Sequence, residues 1–382
     1  MKSVVVAERP ERTNRKELAR LFLKLGITAF GGPAAHIAMM QKEVVEKRRW
    51  MDHQHFLDLI GATNLIPGPN STEMAIHIGH ERGGWKGLLI AGLCFILPAV
   101  LITGFIAWLY QRYGQLPQVT QFIYGIKPAI IAIILAAALP LARRALKTAE
   151  LAVIGLLSLA AALAGINEIY VMFGAGLVVL VLYIIRKQGP AGDLKTFSPF
   201  LLFNNSFFSV PNLKLFLIFL KIGAILYGSG YVLFAFLDRE LVAKGLLTRS
   251  QLVDAIAVGQ FTPGPVFSSV TFIGWQMNGW QGAVLATIAI FLPSFLLVAL
   301  LNPLVPRMRR SALFGAFLDG VNVASVAIIA TVCVSFGRES LTGWRTILIA
   351  LLSGIVSLAL PKVNTVWVVV GSGLLGYVLL LL

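Results

Sequence analysis

The sequence has 382 residues, of which 57% are hydrophobic and only 13% are charged, and its formal net charge is +15. This composition is far more apolar than that of an average soluble domain, which excludes a soluble globular protein. Several runs of about 20 apolar residues are long enough to cross a lipid bilayer as helices, whereas the alternating pattern of barrel strands is absent. The predicted fold class is an all-α polytopic membrane protein.

The positive charge is concentrated in short loops and near the N-terminus, where Arg9, Arg12, Arg15 and Lys16 precede the first apolar stretch. In a membrane protein such clusters indicate cytoplasmic loops, so no nucleic-acid partner is expected. A basic surface also attracts anions, which is compatible with an anionic substrate without demonstrating one. The polar first 17 residues lack a hydrophobic signal-peptide core, so the first helix should itself direct insertion.

The first apolar stretch, residues 18–40, is interrupted by the segment Phe30-Gly31-Gly32-Pro33. A counterpart in the second half, residues 216–237, is interrupted at the same place by Tyr227-Gly228-Ser229-Gly230. Glycines let a neighbouring backbone or a ligand approach closely, and these two explanations carry equal weight here. The candidate residues of these interruptions are Gly31, Gly32, Gly228 and Ser229.

A Pro-Gly-Pro segment then follows in each half, within residues 64–73 and again 196 residues later within residues 260–269. Proline lacks an N–H and disfavours helical geometry in the residue before it, so both helices must break here. Broken backbone at membrane depth is tolerated only where it is buried in protein or lines a cavity. Duplicated breaks of this kind point to the binding site of a transporter, with broken or re-entrant helices meeting near the membrane midplane.

The repeat extends over most of the chain, because Lys24 aligns with Lys221, Trp85 with Trp280 and Gly125 with Gly320, at offsets of 197 to 195 residues. We therefore predict two homologous halves, residues 1–187 and 215–382, joined by a linker at 188–214. Basic residues occur in opposite loops of the two halves, which favours inverted-topology repeats. Spanning helices are expected at about 86–110, 122–142, 150–165, 168–186, 280–304, 313–336, 345–360 and 364–382.

The helix beginning after each break offers unpaired N–H groups and a positive dipole end, which together suit a small anion. Hydroxyl and amide side chains nearby add neutral donors, although prolines that merely kink packed helices are the alternative explanation. Asn70 and Glu73 have the spacing of a capping box, which would account for the carboxylate. The candidate substrate-binding residues are Asn64, Gly68, Asn70, Ser71, Thr72, Gln260, Thr262, Gly264, Ser268 and Ser269.

Lys24 and Lys221 occupy matching places inside apolar runs, each six residues before the glycine-containing interruption. A charged group this far into a spanning helix costs about 2.5–3.5 kcal/mol at the bilayer centre, so it should have a compensating partner. One interpretation is that both lysines add positive charge to the path of an anion. The other is snorkelling, in which the long side chains reach the membrane interface.

The chain lacks a phosphate-cradling Walker sequence, so ATP is not expected to drive transport and a secondary transporter is the economical choice. His77-Ile78-Gly79-His80-Glu81 departs from zincin spacing and has no second copy, so no metal site is predicted. No cofactor is expected either. A homodimer is one possible assembly.

The motifs around the breaks resemble those of the chromate ion transporter family in its long, two-domain form. The resemblance rests on residues 30–33, on Asn64 to Ser71, on Ile78-Gly79 and Gly83-Gly84-Trp85, and on Gln260 to Pro265 with Ile273-Gly274. It covers nearly the whole chain. The second copy differs from the first in having Gln260 for Asn64 and Ser269 for Glu73.

This resemblance implies export of chromate across the cell inner membrane, resistance to chromate, sulfate as an isosteric competitor, and the proton gradient as the driving force. Glu73 is the only carboxylate beside either break, so it is the candidate for proton coupling. Transport of sulfate or another oxyanion is one alternative. A membrane-embedded enzyme acting on a lipid or a phosphate is another, but no evident pair of nucleophile and base supports it.

Overall fold

The computed structural model describes residues 13–30, 32–186, 211–228, 230–301, 308, 311–360 and 363–381. The described residues form helices and connecting turns and contain no β-strand, which confirms the predicted all-α fold. Gly31 and Ser229, both predicted as site residues, lie outside the described residues, as does most of the predicted linker. The last residues of that linker, from Pro211 onwards, instead begin a helix.

The first half begins with two short helices, and a π-helical turn at Lys42–Lys47 follows them. Its helices are α1 (Arg15–Thr28), α2 (Pro33–Gln41), α3 (His53–Thr63), α4 (Asn70–Tyr113), α5 (Pro117–Ala145), α6 (Ala149–Leu163) and α7 (Glu168–Arg186). The second half repeats this order, with 3-10 turns at Gly230–Val232 and Val266–Ser268 and a π-helical turn at Asp238–Val242. Its helices are α8 (Pro211–Ile225), α9 (Leu233–Leu237), α10 (Arg249–Phe261), α11 (Ser269–Leu301), α12 (Ala312–Ser340), α13 (Trp344–Ala359) and α14 (Thr365–Leu381).

Among the described residues, five helices are long and apolar enough to cross a membrane: α4, α5, α7, α11 and α12. The spans predicted to begin near residues 86 and 280 begin earlier, because α4 and α11 continue through a bend at Gly84 and Gly279. These two glycines have φ values of 61° and 55°, a region in which other residues are strained. Each break is therefore followed directly by a helical segment that leads into a spanning helix.

The two halves are interlocked. α1 packs on α4 and α8 packs on α11, while α4 and α11 contact each other across the halves. The later helices exchange partners, since α6 and α7 of the first half pack on α12, and α13 and α14 of the second half pack on α5. One large apolar cluster accordingly contains residues from both halves. Such reciprocal contacts are those of two units related by a two-fold axis, and the charge bias of the loops remains the argument for inversion.

Glycines form the closest helix crossings, and they occur in equivalent pairs. Gly26 of α1 lies against the carbonyl of Phe95 in α4, and a Cβ at position 26 would be 2.6 Å from that oxygen. Gly223 of α8 lies in the same way against the carbonyl of Ile290 in α11. Small residues of this kind let helix backbones approach closely in membrane proteins.

We predict that Gly26→Ala and Gly223→Ala each lower the melting temperature of the detergent-solubilised protein. The added methyl group meets backbone atoms, which cannot move cheaply, and overpacking of this kind costs about 1–3 kcal/mol. Gly174→Ala is the matched control, because a Cβ there enters open space. Unchanged melting temperatures in all three variants would show that the helices at these crossings can move apart without loss of stability.

Candidate functional site

The two Pro-Gly-Pro loops bind reciprocally to the opposite halves of the molecule. Gly68 donates its N–H to the carbonyl of Leu226, and Gly264 donates its N–H to the carbonyl of Ala29, each at 2.8 Å. Ala29 ends α1 and Leu226 follows α8, so each loop closes on the interruption of the other half. Each broken segment therefore contacts the other half, while the meeting of the two segments near the membrane midplane stays a prediction.

The glycines of the loops have φ values of 138° at Gly68 and 91° at Gly264. Their surroundings differ. A Cβ at Gly68 would collide with Oε1 of Glu73 and lie 2.5 Å from Oγ of Ser294, whereas a Cβ at Gly264 would lie 2.9 Å from the methyl group of Ala99. Ser294 and Ala99 occupy equivalent positions, so the first loop faces a carboxylate and a hydroxyl where the second faces a methyl group.

Glu73 is fully buried, with 0% of its surface exposed. The predicted capping box is wrong, because Pro69 is the N-cap of α4 and no side chain caps this helix. Asn70 lies inside the helix and donates instead to Oδ1 of Asn64 at 2.7 Å, which bridges the two sides of the break. Ser294 faces the Glu73 carboxylate, but neither carboxylate oxygen has a hydrogen bond of normal geometry among the described residues. Capping therefore does not explain this carboxylate.

Several other buried polar atoms around the breaks have no hydrogen-bond partner within the described part of the chain. They are Oγ1 of Thr72, Nε2 of Gln260, Oγ of Ser269 and Oγ of Ser294. Buried polar groups are normally paired, so each such group calls for an explanation. Three of the four belong to residues predicted from the sequence, and Ser294 is the addition. A bound polar ligand would satisfy them.

Thr262 and Ser268 are engaged across the halves. Thr103 of α4 donates toward the hydroxyl of Thr262 at 3.4 Å and toward that of Ser268 at 3.5 Å. All three side chains are buried. Thr103 carries no distinguishing signal in the sequence, because a threonine inside an apolar helix is common.

His36 is a buried polar residue that the sequence analysis did not single out. Only 1% of its surface is exposed, and its ring lies between Oγ of Ser71, 3.2 Å from Nδ1, and the carbonyl of Ala29, 3.0 Å from Nε2. The positions equivalent to His36 and Ser71 in the second half hold Leu233 and Phe267. An ionisable residue one turn after Pro33, within an apolar stretch, was the signal that could have identified it.

The glycines of the two interruptions have different surroundings. Gly32 and Gly228 have φ values of 83° and 93°. A Cβ at Gly228 would lie 2.8 Å from Oγ of Ser325, a hydroxyl that donates to the carbonyl of Val321 at 2.8 Å and lies 3.3 Å from that of Tyr227. A Cβ at Gly32 would lie 3.5 Å from the hydroxyl of Tyr231. Close packing therefore explains Gly228, while Gly32 has room beside it.

Lys24 and Lys221 each pair with a carboxylate from the following π-helical turn. Nζ of Lys24 lies 3.0 Å from Glu43, and Nζ of Lys221 lies 2.7 Å from Glu240. Glu240 also contacts Lys244. The lysine side chains are 54% and 21% exposed, whereas both carboxylates are buried. The compensating partners expected for the lysines are thus present, in both halves and at the same offset of 197 residues.

The carboxylates of these clusters stay ionised. Burial raises the pKa of Glu43, but hydrogen bonds from Lys47, Lys24 and Arg48 outweigh it and lower the pKa to about 2. The pKa of Glu240 is likewise lowered, because its two lysine partners outweigh burial. Each cluster contains more basic than acidic groups, so each keeps a net positive charge at neutral pH.

The comparisons with known proteins agree with this duplicated architecture. The model of the family described as chromate transporter matches residues 16–180 and again residues 213–377. The chain belongs to the chromate transporter family. The resemblance inferred from the motifs is thereby confirmed, and the two matched segments correspond to the two halves of the fold.

Relatives of similar length match almost end to end. A probable chromate transport protein of Synechococcus elongatus is 33% identical over 91% of this chain and 91% of its own length. A chromate transport protein of Cupriavidus metallidurans is 30% identical over 95% of this chain and 92% of its own. One of Pseudomonas aeruginosa is 28% identical over 96% and 93%. No solved structure matches this chain. Because these relatives are named as transport proteins, the comparison supports the prediction that the protein is not an enzyme.

We predict that Gly68→Val abolishes chromate transport while the protein still reaches the membrane in normal amounts. The new side chain collides with Glu73 and Ser294 and disfavours the positive φ of the turn. Gly371→Val is the control, because a Cβ at that glycine enters open space. Membrane vesicles that contain equal amounts of each variant provide the measurement, and full transport by Gly68→Val would contradict a role for this turn in the site.

Proposed function

We propose that this protein is a secondary active transporter that exports chromate across the inner membrane in exchange for protons and so confers chromate resistance. The observation that carries the proposal is the pair of reciprocally bound Pro-Gly-Pro loops, which have a buried carboxylate on one side only. Two copies of one backbone arrangement that carry different polar side chains suit a carrier that binds both an anion and a proton.

Recognition of a dianion is supported by three kinds of group. α4 begins directly after the first break, and its N-terminus carries partial positive charge. Three buried atoms that have no hydrogen-bond partner among the described residues, namely Oγ1 of Thr72, Nε2 of Gln260 and Oγ of Ser269, supply hydrogen-bonding capacity. The two clusters around Glu43 and Glu240 add net positive charge. Electrostatic attraction of this kind raises the local concentration of anions.

Sulfate is the natural competitor, because chromate and sulfate are both tetrahedral dianions of similar size. The same groups would bind either ion, and transport of sulfate or of another oxyanion is therefore the second candidate function. A proton gradient is proposed as the driving force because Glu73 is a buried carboxylate for which the described residues provide neither a capping role nor an ion pair.

The decisive experiment measures chromate flux in inverted membrane vesicles, whose cytoplasmic face is outside. Export predicts that vesicles containing the protein accumulate chromate when their interior is made acidic, and that sulfate competes. Control vesicles lack the protein. Accumulation that ignores the imposed pH gradient would exclude proton exchange, and accumulation of sulfate but not chromate would establish the second candidate function.

Glu73→Gln tests the coupling residue. Glutamine has the same shape but cannot release a proton, so we expect loss of the acceleration that the pH gradient gives, by at least about tenfold in rate. Glu81→Gln is the matched control, since that carboxylate lies on the same helix and pairs with His55, away from the break. If Glu73→Gln retains pH-driven transport, Glu73 is not the proton carrier.

Lys24→Gln and Lys221→Gln test the positive clusters. If the lysines guide the dianion, each variant weakens transport and raises the half-saturation concentration, and Lys24→Gln has the larger effect because its half holds Asn64 and Glu73. Arginine at either position keeps the charge and should keep much of the activity. Unchanged transport in the double glutamine variant, at normal expression, would leave snorkelling and the ion pairs as the sufficient account of both lysines.

A further inference from the structure

Ser294 brings a hydroxyl of the second half against the buried carboxylate of the first half. It lies in α11, directly after Pro293, and none of its surface is exposed. Both groups adjoin Gly68, because a Cβ on this glycine would collide with Oε1 of Glu73 and lie 2.5 Å from Oγ of Ser294. The carboxylate and the hydroxyl are therefore neighbours across the boundary between the halves.

The hydroxyl of Ser294 is not engaged by its own helix. A serine or threonine buried inside a helix commonly donates to the carbonyl one turn earlier, as Thr287 does on the same helix and Ser325 does on α12. Oγ of Ser294 has no hydrogen-bond partner among the described residues. The carbonyl one turn earlier, that of Ile290, lies against Gly223 of α8. The hydrogen of Ser294 is therefore free to bind the carboxylate that it faces.

A hydroxyl suits a carboxyl group that gains and loses a proton, because it both donates and accepts hydrogen bonds. An ionised Glu73 can only accept, so Ser294 donates its hydrogen to it. A neutral Glu73 has an O–H to donate, so Oγ of Ser294 accepts and its own hydrogen turns away. Rotation of one hydroxyl, which keeps its hydrogen throughout, thus matches both states of the carboxyl group.

We propose that Ser294 is the positioning residue of the proton carrier: it donates to Glu73 after proton release and accepts from Glu73 after proton uptake. This inference rests on the proposed function, since it assumes that Glu73 carries the proton. The role is the same whichever way the anion moves. A hydrogen bond to an ionised group is about twice as strong as a neutral one, so Ser294 favours the ionised carboxylate.

The second half shows that this pair of side chains is not required by the backbone. Ala99 stands at the position equivalent to Ser294, and Ser269 stands at the position equivalent to Glu73. A proline precedes the residue in both halves. Because alanine is compatible with the same local backbone, Ser294→Ala is expected to fold.

Other titratable groups on the elements packed against the start of α4 bear on the same proton. α11 has no charged residue. Tyr227, which follows α8, is close enough to Glu73 for an electrostatic interaction, and α2 contributes His36. The charged groups of α1 and α3 are exposed or half-buried, Asp254 of α10 has an ion-pair partner of its own, and His77 of α4 has other contacts. All of these groups stay unchanged in the variants that test Ser294.

Infrared difference spectroscopy of the purified full-length protein detects the proton on Glu73, because a neutral carboxylic acid has a carbonyl band of its own. Glu73→Gln removes this band and so assigns it. Ser294→Ala should raise the pH at which half of Glu73 is protonated by about one unit, since the ionised form loses the stronger hydrogen bond. The frequency of the band should change as well. Ser294→Cys, whose thiol is a weaker donor and acceptor, should give a smaller shift in the same direction.

Two further variants serve as controls. Ser353→Ala removes a buried helical hydroxyl that donates to the carbonyl of Ile349. Ala99→Ser installs a hydroxyl beside Gly264, in the half that has Ser269 in place of the carboxylate. Neither control should move the midpoint of the titration. A midpoint that stays in place or falls in Ser294→Ala overturns the proposal, and so does an equal rise in Ser353→Ala.

Chromate uptake by the inverted vesicles distinguishes this role from the proposed function. If both hold, the pH dependence of uptake shifts in Ser294→Ala by the same amount as the infrared midpoint. Vesicles without chromate flux would refute the proposed function, and the infrared midpoint would still decide whether Ser294 holds the carboxylate. A shifted infrared midpoint with unshifted uptake would show that Glu73 is not the proton carrier and would overturn the role of Ser294 in transport.

Discussion

A glycine amide between two prolines is the constraint on which the centre of this protein depends. Neither proline has an N–H, so the glycine supplies the one backbone donor of each Pro-Gly-Pro triplet, and this buried donor needs a partner within the protein. The carbonyls at the ends of α1 and α8 face the complementary problem, because a helix that stops leaves acceptors unpaired. Each half supplies the hydrogen-bond partner that the other lacks, through the bonds from Gly68 to Leu226 and from Gly264 to Ala29.

The two breaks share a backbone arrangement but carry different side chains. The first break holds His36, Ser71 and Glu73, whereas the second presents Leu233, Phe267 and Ser269 at the equivalent positions. Ion pairs nearer the surface are by contrast the same in both halves, as the bonds of Lys24 to Glu43 and of Lys221 to Glu240 show. Duplication therefore preserved the scaffold and its positive clusters, while the buried histidine and the buried carboxylate beside the breaks occur in the first half.

The sequence allowed the repeats, the duplicated breaks and the need for partners of both lysines to be predicted, because proline chemistry and buried charge act locally. It did not allow us to predict that α6 and α7 pack on α12 of the second half while α13 and α14 pack on α5 of the first half. Apolar helix faces of similar composition do not specify their neighbours. The capping box at Asn70 failed for a local reason: Asn64 offered that side chain a partner across the break. Ser294 could not be recognised from the sequence, because it is distant from Gly68 along the chain and only the fold brings the two residues together.

The exchanged helices have an evolutionary consequence. If one half were separated from the other, α5 would lose its neighbours α13 and α14, and the loop at Gly68 would lose its acceptor. A polypeptide with a single repeat would thus be complete only when two copies assembled, each supplying what the other lacks. Gene fusion relieves such an ancestor of the requirement that both copies be identical. The divergence of His36 from Leu233 is a change that two identical copies cannot keep on one side.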